Sequence, residues 1–389
     1  MPASKLPSGE IGHRLRVSRE AAGITQAGAA RCIDVARTTI VAIEQGTRRI
    51  RTGEIQRLAK AYGTSVNAIL RREAVFTGIV PRFRKMRVAR DAPCRDAAKL
   101  LERLVRAEVE LEALLGVERI ATYPMERPLM RGDASSQAVE DATDLRQWLG
   151  IGLAPVRDFV SILELDLSIR VYFRPLHSIV SGLFAFDESV GACILINSSQ
   201  SAGRRQYTMA HELGHFISAR SKPSVMRSHG MPKSREERYA DVFARAFLTP
   251  ARTVCAKFSQ VTTGASHLTR RHVIMLAHYF HVSREAMVRR LEELNLARAG
   301  AWDWFLRNGG ITDKQHQAVI RGRSDQSAGA DDSASSVTPR LHLLATEAWH
   351  QELLSEGQLA QLLDLDRVKL RELLDDAEND RHAGLQLPE

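Results

Sequence analysis

Apolar positions in residues 11–70 recur at three- and four-residue intervals and are interrupted at Gly23, Asp34, Gly46 and Gly63, a pattern that predicts five short helices joined by tight turns. Thr25 stands where it would cap the second of them, and Ala29, Ile33, Ile40 and Ile43 fall where helices two and three would meet. Residues 97–116 read as an amphipathic connecting helix rich in Leu and Glu, followed by a loose stretch from Tyr123 to Ser136. Arg170–Phe173 and Ala192–Asn197 read as strands. The period then returns to that of a helix around Tyr207–Ile217 and again from Glu237, where Ala240, Phe243, Ala244 and Phe247 form an apolar stripe that Pro250 ends. Phe280 to Leu291 reads as a small helical unit closing that region. Ser324 to Ser336 is low in complexity with nothing to bury, and Leu341 to Asp375 reads as short helices.

The expected architecture is multidomain and mainly α. It comprises a five-helix domain over 1–73, a linker with the connecting helix over 74–136, an α+β domain over 137–300, a connector over 301–323, a linker over 324–338 and a small helical module over 339–389. At 389 residues, 44% hydrophobic and 26% charged, the chain can bury two or three cores. No apolar run approaches the length of a membrane span and the polar N-terminus is no signal peptide, so a cytoplasmic location and no membrane partner are expected. Cys32, Cys94, Cys193 and Cys255 are scattered without a CxxC pair, which argues against a disulfide scaffold or a cysteine zinc site.

Chemistry concentrates at His211-Glu212-Leu213-Gly214-His215. Positions i and i+4 share a helix face, so His211 and His215 can bind one cation while Glu212 acts as general base on a water beside it. A third ligand should follow on another helix. Glu237 is the candidate, with Asp241 one turn later placed to accept a hydrogen bond from the outer nitrogen of a ligating histidine. Glu236 points about 100° away around the same helix and is the weaker ligand. His177, His229 and Tyr207 are unranked candidates for stabilising the oxyanion, and Cys94, read as part of a polar linker, is a thiol that could reach the open metal position. The Ala192–Asn197 strand is the candidate edge on which an extended substrate would add.

Several further motifs stand in order around that pentapeptide: Leu145-Arg146-Gln147-Trp148-Leu149-Gly150, Ala154-Pro155-Val156, Val180-Ser181-Gly182-Leu183, Ile194-Leu195-Ile196-Asn197, Arg205-Gln206-Tyr207-Thr208-Met209-Ala210 and Glu237-Arg238-Tyr239-Ala240-Asp241. With them, residues Ala138 to Leu296 resemble the ImmA/IrrE family of metallo-endopeptidases. The resemblance implies a zincin-like fold, metal held by His211, His215 and Glu237, and Glu212 as base. It implies zinc as cofactor, with manganese as the alternative. Thr249 departs from the pattern, which there has a larger apolar residue.

The N-terminal segment, through Leu15–Gln26, Ile33–Gly46 and Ile55–Ser65, resembles the helix-turn-helix of the XRE, phage-repressor-like class. Helix three would then present Ala36, Arg37, Thr38 and Thr39 to base edges in the major groove of double-stranded DNA, with Gln26, Thr47 and Arg48 as backbone anchors. Charge agrees: residues 1–90 hold 18 Lys/Arg against 6 Asp/Glu while the whole chain is only +9. Arg82–Arg87 reads as a solvated linker, with a further backbone-contacting arm as the alternative. Ser355–Leu363 resembles a degenerate helix-turn-helix, but Asp364, Asp366, Glu372 and Asp375 make that module a poor phosphate binder, and a docking or assembly role is expected.

The reading that joins these parts is a DNA-binding zinc endopeptidase that regulates transcription. The resemblance implies a helix-turn-helix repressor as substrate, in a stress-response or mobile-element operon. A homodimer is a further expectation, because palindromic operators call for one. Two rivals stand beside it: a regulator whose peptidase-like domain senses or holds metal without turnover, and an antitoxin or regulator of a toxin or phage-defence operon.

Overall fold

Tight turns and caps set the first elements, as their residue types require. In a computed structural model, helices α1 (Ser8–Ala21), α2 (Gln26–Ile33), α3 (Arg37–Glu44), α4 (Thr52–Tyr62) and α5 (Val66–Leu70) form the N-terminal domain. Thr25 accepts a hydrogen bond from the Gly28 amide at 3.1 Å, capping α2. Asp34 ends α2 in the left-handed region (φ 56°, ψ 56°), a conformation Asp tolerates, and this turns the chain into α3. Leu15, Ala29, Ile33, Ile40, Ile43, Ile55 and Leu58 close the core. Gly12 admits α3 against α1: a Cβ there would lie 2.2 Å from the Ile43 carbonyl oxygen.

The structure describes residues 8–62, 64, 66–70, 91–227, 234–320 and 337–382. The Arg82–Arg87 arm, residues 324–336 of the expected 324–338 linker and His229 lie outside the described residues, while Val337 and Thr338 at the end of that linker are buried. The chain divides into two compact units, one of Met1–Phe76, Val109–Leu115 and Ala345–Glu389, the other of Thr77–Glu108 and Gly116–Leu344. The connecting helix α6 runs over Ala92–Leu115, starting earlier than its apolar period suggested. Cys94 is therefore a buried helical residue and not part of a polar linker; burial pushes its thiol pKa up, which disfavours the thiolate a metal would need.

In the second unit, α7 (Ala134–Trp148) is capped by Asp133, and β1 (Arg170–Arg174), β2 (Val180–Asp187), β3 (Gly191–Asn197), α8 (Ala202–Ser218), β4 (Ser224–Arg227) and α9 (Arg235–Leu248) follow. Helices α10 (Ala251–Val261), α11 (Arg270–Tyr279), α12 (Arg284–Glu293), α13 (Ala301–Arg307) and α14 (Asp313–Ile320) complete it. The sheet order is β1-β3-β2-β4, with β1 parallel to β3 and β2 antiparallel to both its neighbours. The Ala192–Asn197 strand is thus not an edge. It is β3, paired on one side with β1 and on the other with β2, so its backbone groups have no room for an added strand. The unbroken apolar run Ala192-Cys193-Ile194-Leu195-Ile196 is the mark of a strand buried on both faces. Among the described residues β4 is the edge on the other side of β2.

At the C-terminal end, α15 (Pro339–His350) is followed by α16 (Glu356–Leu363) and α17 (Arg367–His382), which repeat the local frame of α2 and α3. Ser355 and Gln358 form a capping box, and Asp364 (φ 54°, ψ 49°) follows Ser355 at the interval that separates Asp34 from Thr25. Arg367, Val368 and Lys369 are exposed at the start of α17, as Arg37 and Thr38 are at the start of α3.

Candidate metal centre and nucleic-acid interface

The motifs quoted from the sequence interlock around α8. Gly182 of β2 leaves room for Thr208, since a Cβ there would come within 2.5 Å of the threonine methyl. The Asn197 side chain at the end of β3 donates to the Val180 carbonyl at 2.8 Å and accepts from the Leu176 and Ser199 amides at 3.1 Å, fixing the chain just before α8. Gln206 donates to the Val156 carbonyl at 3.0 Å. Arg146 is buried and donates to the carbonyls of Gly152, Ala154 and Phe247; desolvation lowers its pKa to about 10. Thr249 needs no larger apolar partner, because its buried hydroxyl donates to the Arg245 carbonyl and its own carbonyl accepts from Arg290.

Gly214 explains how a second helix reaches the histidines. A Cβ at this position would stand 3.0 Å from the Cα of Ala240, so the bare glycine lets α9 cross α8 closely and brings Glu237 over His211 and His215. The two Nε2 atoms are 3.2 Å apart. The Glu237 carboxylate lies 3.3 Å from His211 Nε2 and 3.4 Å from His215 Nε2. Ligands about 2.0–2.1 Å from a tetrahedral ion stand roughly 3.3 Å from one another, so this donor set is already spaced for one such cation. It is the one group among the described residues with metal-ligand geometry.

Electrostatics orient the donors. His211 Nδ1 donates to Asp241 Oδ1 at 3.1 Å, which leaves Nε2 as the nitrogen that faces Glu237. Burial alone would lower the His211 pKa, but hydrogen bonds to Asp241 and Glu237 and the nearby Glu212 charge outweigh it and push the value up to about 9. For Glu237, burial is outweighed by the two histidine hydrogen bonds, which hold its carboxyl well below the usual range. Glu212 is fully buried and its pKa is raised by desolvation. Its Oε2 accepts from the Ser224 hydroxyl, and its Oε1 has no hydrogen-bond partner among the described residues.

The structure brings Asp241 against His211, where the helical spacing puts it, and adds two partners that the sequence does not announce. Tyr207 donates its hydroxyl to the same Asp241 Oδ1 at 2.8 Å, so that hydroxyl is bound to the metal helix's brace and not free for an oxyanion. Its position one turn before His211 was the available signal. Ser224 gave none, since a four-residue strand carries no legible period. Glu236 hydrogen-bonds within its own helix start, by its own amide and Ser234. His177 is exposed, its Nδ1 accepting from the Ile179 amide.

On the N-terminal domain, Ala36, Arg37 and Thr38 are exposed and Thr39 is half-buried at the start of α3. Arg37 donates to the Gln26 side-chain oxygen at 3.3 Å, and the Gln26 amide donates to Glu44 at 3.0 Å. Glu44 is held in turn by the buried Arg19 at 2.6 Å, so the expected base reader and the expected anchor sit on one braced network. Thr47 is exposed, its hydroxyl turned to the Ala42 carbonyl. Arg48 makes a two-pronged pair with Glu54, at 3.1 and 2.8 Å, which makes it a brace of the turn after α3 in this structure. Arg31, Arg49, Arg51 and Arg57 are exposed and add to the positive charge of this domain's surface.

Comparison with known proteins follows this division. Residues 10–72 match the family model of a helix-turn-helix domain, and residues 165–292 match that of the IrrE N-terminal-like domain, peptidase M78. No curated protein matches. Similar solved structures include ComR from Streptococcus suis, 11% identical, with 98% of this chain and 96% of that chain covered at a TM-score of 0.17. The apo form of the competence regulator ComR from Streptococcus vestibularis is 9% identical, with 98% and 100% covered at 0.17. Scores this low carry no inference about fold or function. No helix among the described residues is long and apolar enough to cross a membrane. The chain thus joins a helix-turn-helix domain to an IrrE-like domain similar to peptidase M78, a combination that supports a DNA-binding regulator with an IrrE-like domain.

Proposed function

We propose that this protein is a zinc-dependent endopeptidase that binds DNA through its N-terminal domain and regulates transcription by cleaving another helix-turn-helix repressor. The carrying observation is the spacing of His211 Nε2, His215 Nε2 and Glu237, at 3.2 to 3.4 Å, beside a buried Glu212 oxygen with no partner among the described residues. A divalent cation held by these three side chains would supply Lewis acidity to the scissile carbonyl and to water. Asp241, braced by Tyr207, fixes the His211 tautomer. Glu212 Oε1 takes a proton from the attacking water and passes it to the leaving amine. The substrate strand adds to β4, the edge nearest this site, in place of the interior β3.

Metal analysis separates the roles. His211→Ala and Glu237→Ala should lose metal, with zinc bound in preference to manganese, whereas Glu212→Gln should keep it and lose proteolysis by a factor of roughly 10² or more. Equal metal content in all three variants would sink the assignment. A wild-type protein that holds metal yet cleaves no repressor would favour a metal-sensing regulator instead.

A further inference from the structure

We infer that Ser224, on the edge strand β4, is the positioning residue for the general base, and so ties the seating of a substrate strand to the readiness of Glu212. The inference rests on the peptidase reading above and deepens it. Glu212 has no exposure to solvent, and a buried carboxylate must find its hydrogen bonds within the protein. Among the described residues one side chain meets this need: the Ser224 hydroxyl donates to Oε2. Oε1 is left without a partner and is therefore the oxygen free to accept a proton. A carboxylate that rotated about its terminal bond would exchange these two oxygens, and the serine breaks that equivalence.

Ser224 is suited to this by its place in the sheet. It is 5% exposed, pairs in register with Phe184 of β2, and lies in the strand that packs against α8. Side chains alternate across a strand, so Ser224 shares the inner face with Met226 while Val225 takes the other. On its other side β4 has no strand neighbour among the described residues. A substrate hydrogen-bonded along that edge would hold the Ser224 backbone in place, and through its hydroxyl the base. Seating of the peptide and orientation of the proton acceptor would then be one event.

Two readouts on the full-length protein test this. The first needs no turnover. In the infrared difference spectrum between wild type and Glu212→Gln, recorded without metal, the band of the Glu212 carboxyl should shift in a Ser224→Ala background and return in Ser224→Thr, which keeps the hydroxyl. The second uses the zinc-loaded protein and a quenched fluorescent library of random decapeptides. Ser224→Ala should lower kcat by roughly ten-fold or more while KM stays within about two-fold and zinc content is unchanged, and Ser224→Thr should recover most of kcat. An unshifted band, or an equal kcat in wild type and Ser224→Ala, overturns the inference while leaving the peptidase reading standing. A wild type that cuts no peptide in the library and no repressor overturns both, and unequal zinc content would mark Ser224 as merely structural.

Discussion

The helices α3 and α8 put their candidate functional side chains to opposite uses of solvent. On α3 the chemistry faces outward: Arg37 and Thr38 are exposed, and the frame that braces Arg37 runs through Gln26 of α2, Glu44 at the end of α3 and Arg19 of α1. On α8 it faces inward: His211, Glu212 and His215 are at most 5% exposed, and their partners come from the next two elements, β4 and α9. The difference teaches how each should fail. An exposed reader loses affinity contact by contact, because water replaces each lost partner. A buried centre fails as a unit, since moving one helix separates every donor at once.

The sharpest way to break this contrast is at Gly214, which touches no metal and no substrate. Gly214→Leu would force a side chain against Ala240 and Phe243, and the domain should lose at least about 3 kcal/mol of stability together with its metal. Urea unfolding and metal analysis read both. A variant that keeps its metal would mean that the close crossing of α8 and α9 does not set the site.

Buried carboxyls sharpen the comparison next. The N-terminal domain pairs its buried Glu44 and Glu54 with arginines, whereas in the second unit burial raises the pKa of Glu164 to about 7 from 4.5, with the Arg340 amide at 3.3 Å. A carboxyl whose folded pKa is raised gives its full stability below the unfolded value and loses it as pH rises. Stability should therefore fall between about pH 4.5 and 7, by roughly 2–3 kcal/mol in all. Glu164→Gln should flatten that slope in unfolding titrations at pH 5 and pH 8. An unchanged slope would show that this carboxyl does not titrate across the window.

The smallest effects belong to α3. Arg37→Ala should cost roughly 1–3 kcal/mol of operator affinity and relax base preference, as seen by binding to a set of duplexes that differ at single positions. Arg48→Ala tests whether its pair with Glu54 is a brace alone. If so, the domain should lose about 1 kcal/mol of stability while the dependence of affinity on salt stays as it was; if Arg48 also meets phosphate, the salt slope should fall by about one.

Much of this protein was legible without coordinates where information is local. Thr25 and Asp34 set the helix-turn-helix, the His211/His215 spacing set one helix face, and Glu237 and Asp241 lie one turn apart on another. Each depends on periods and caps that act within a few residues. The alternation of elements likewise gave a mainly α chain with a small sheet, but Val180–Asp187 and Ser224–Arg227 were not read as strands. What tertiary structure alone decided involves segments distant in sequence. Strand order put β3 in the middle and made β4 an edge, because pairing is chosen by long-range contacts that no single strand encodes. The close crossing at Gly214, the brace of Tyr207 on Asp241 and the hydrogen bond from Ser224 to Glu212 share that origin. The sequence named the candidate ligands, and packing between separate helices and strands determined the distances at which those side chains stand.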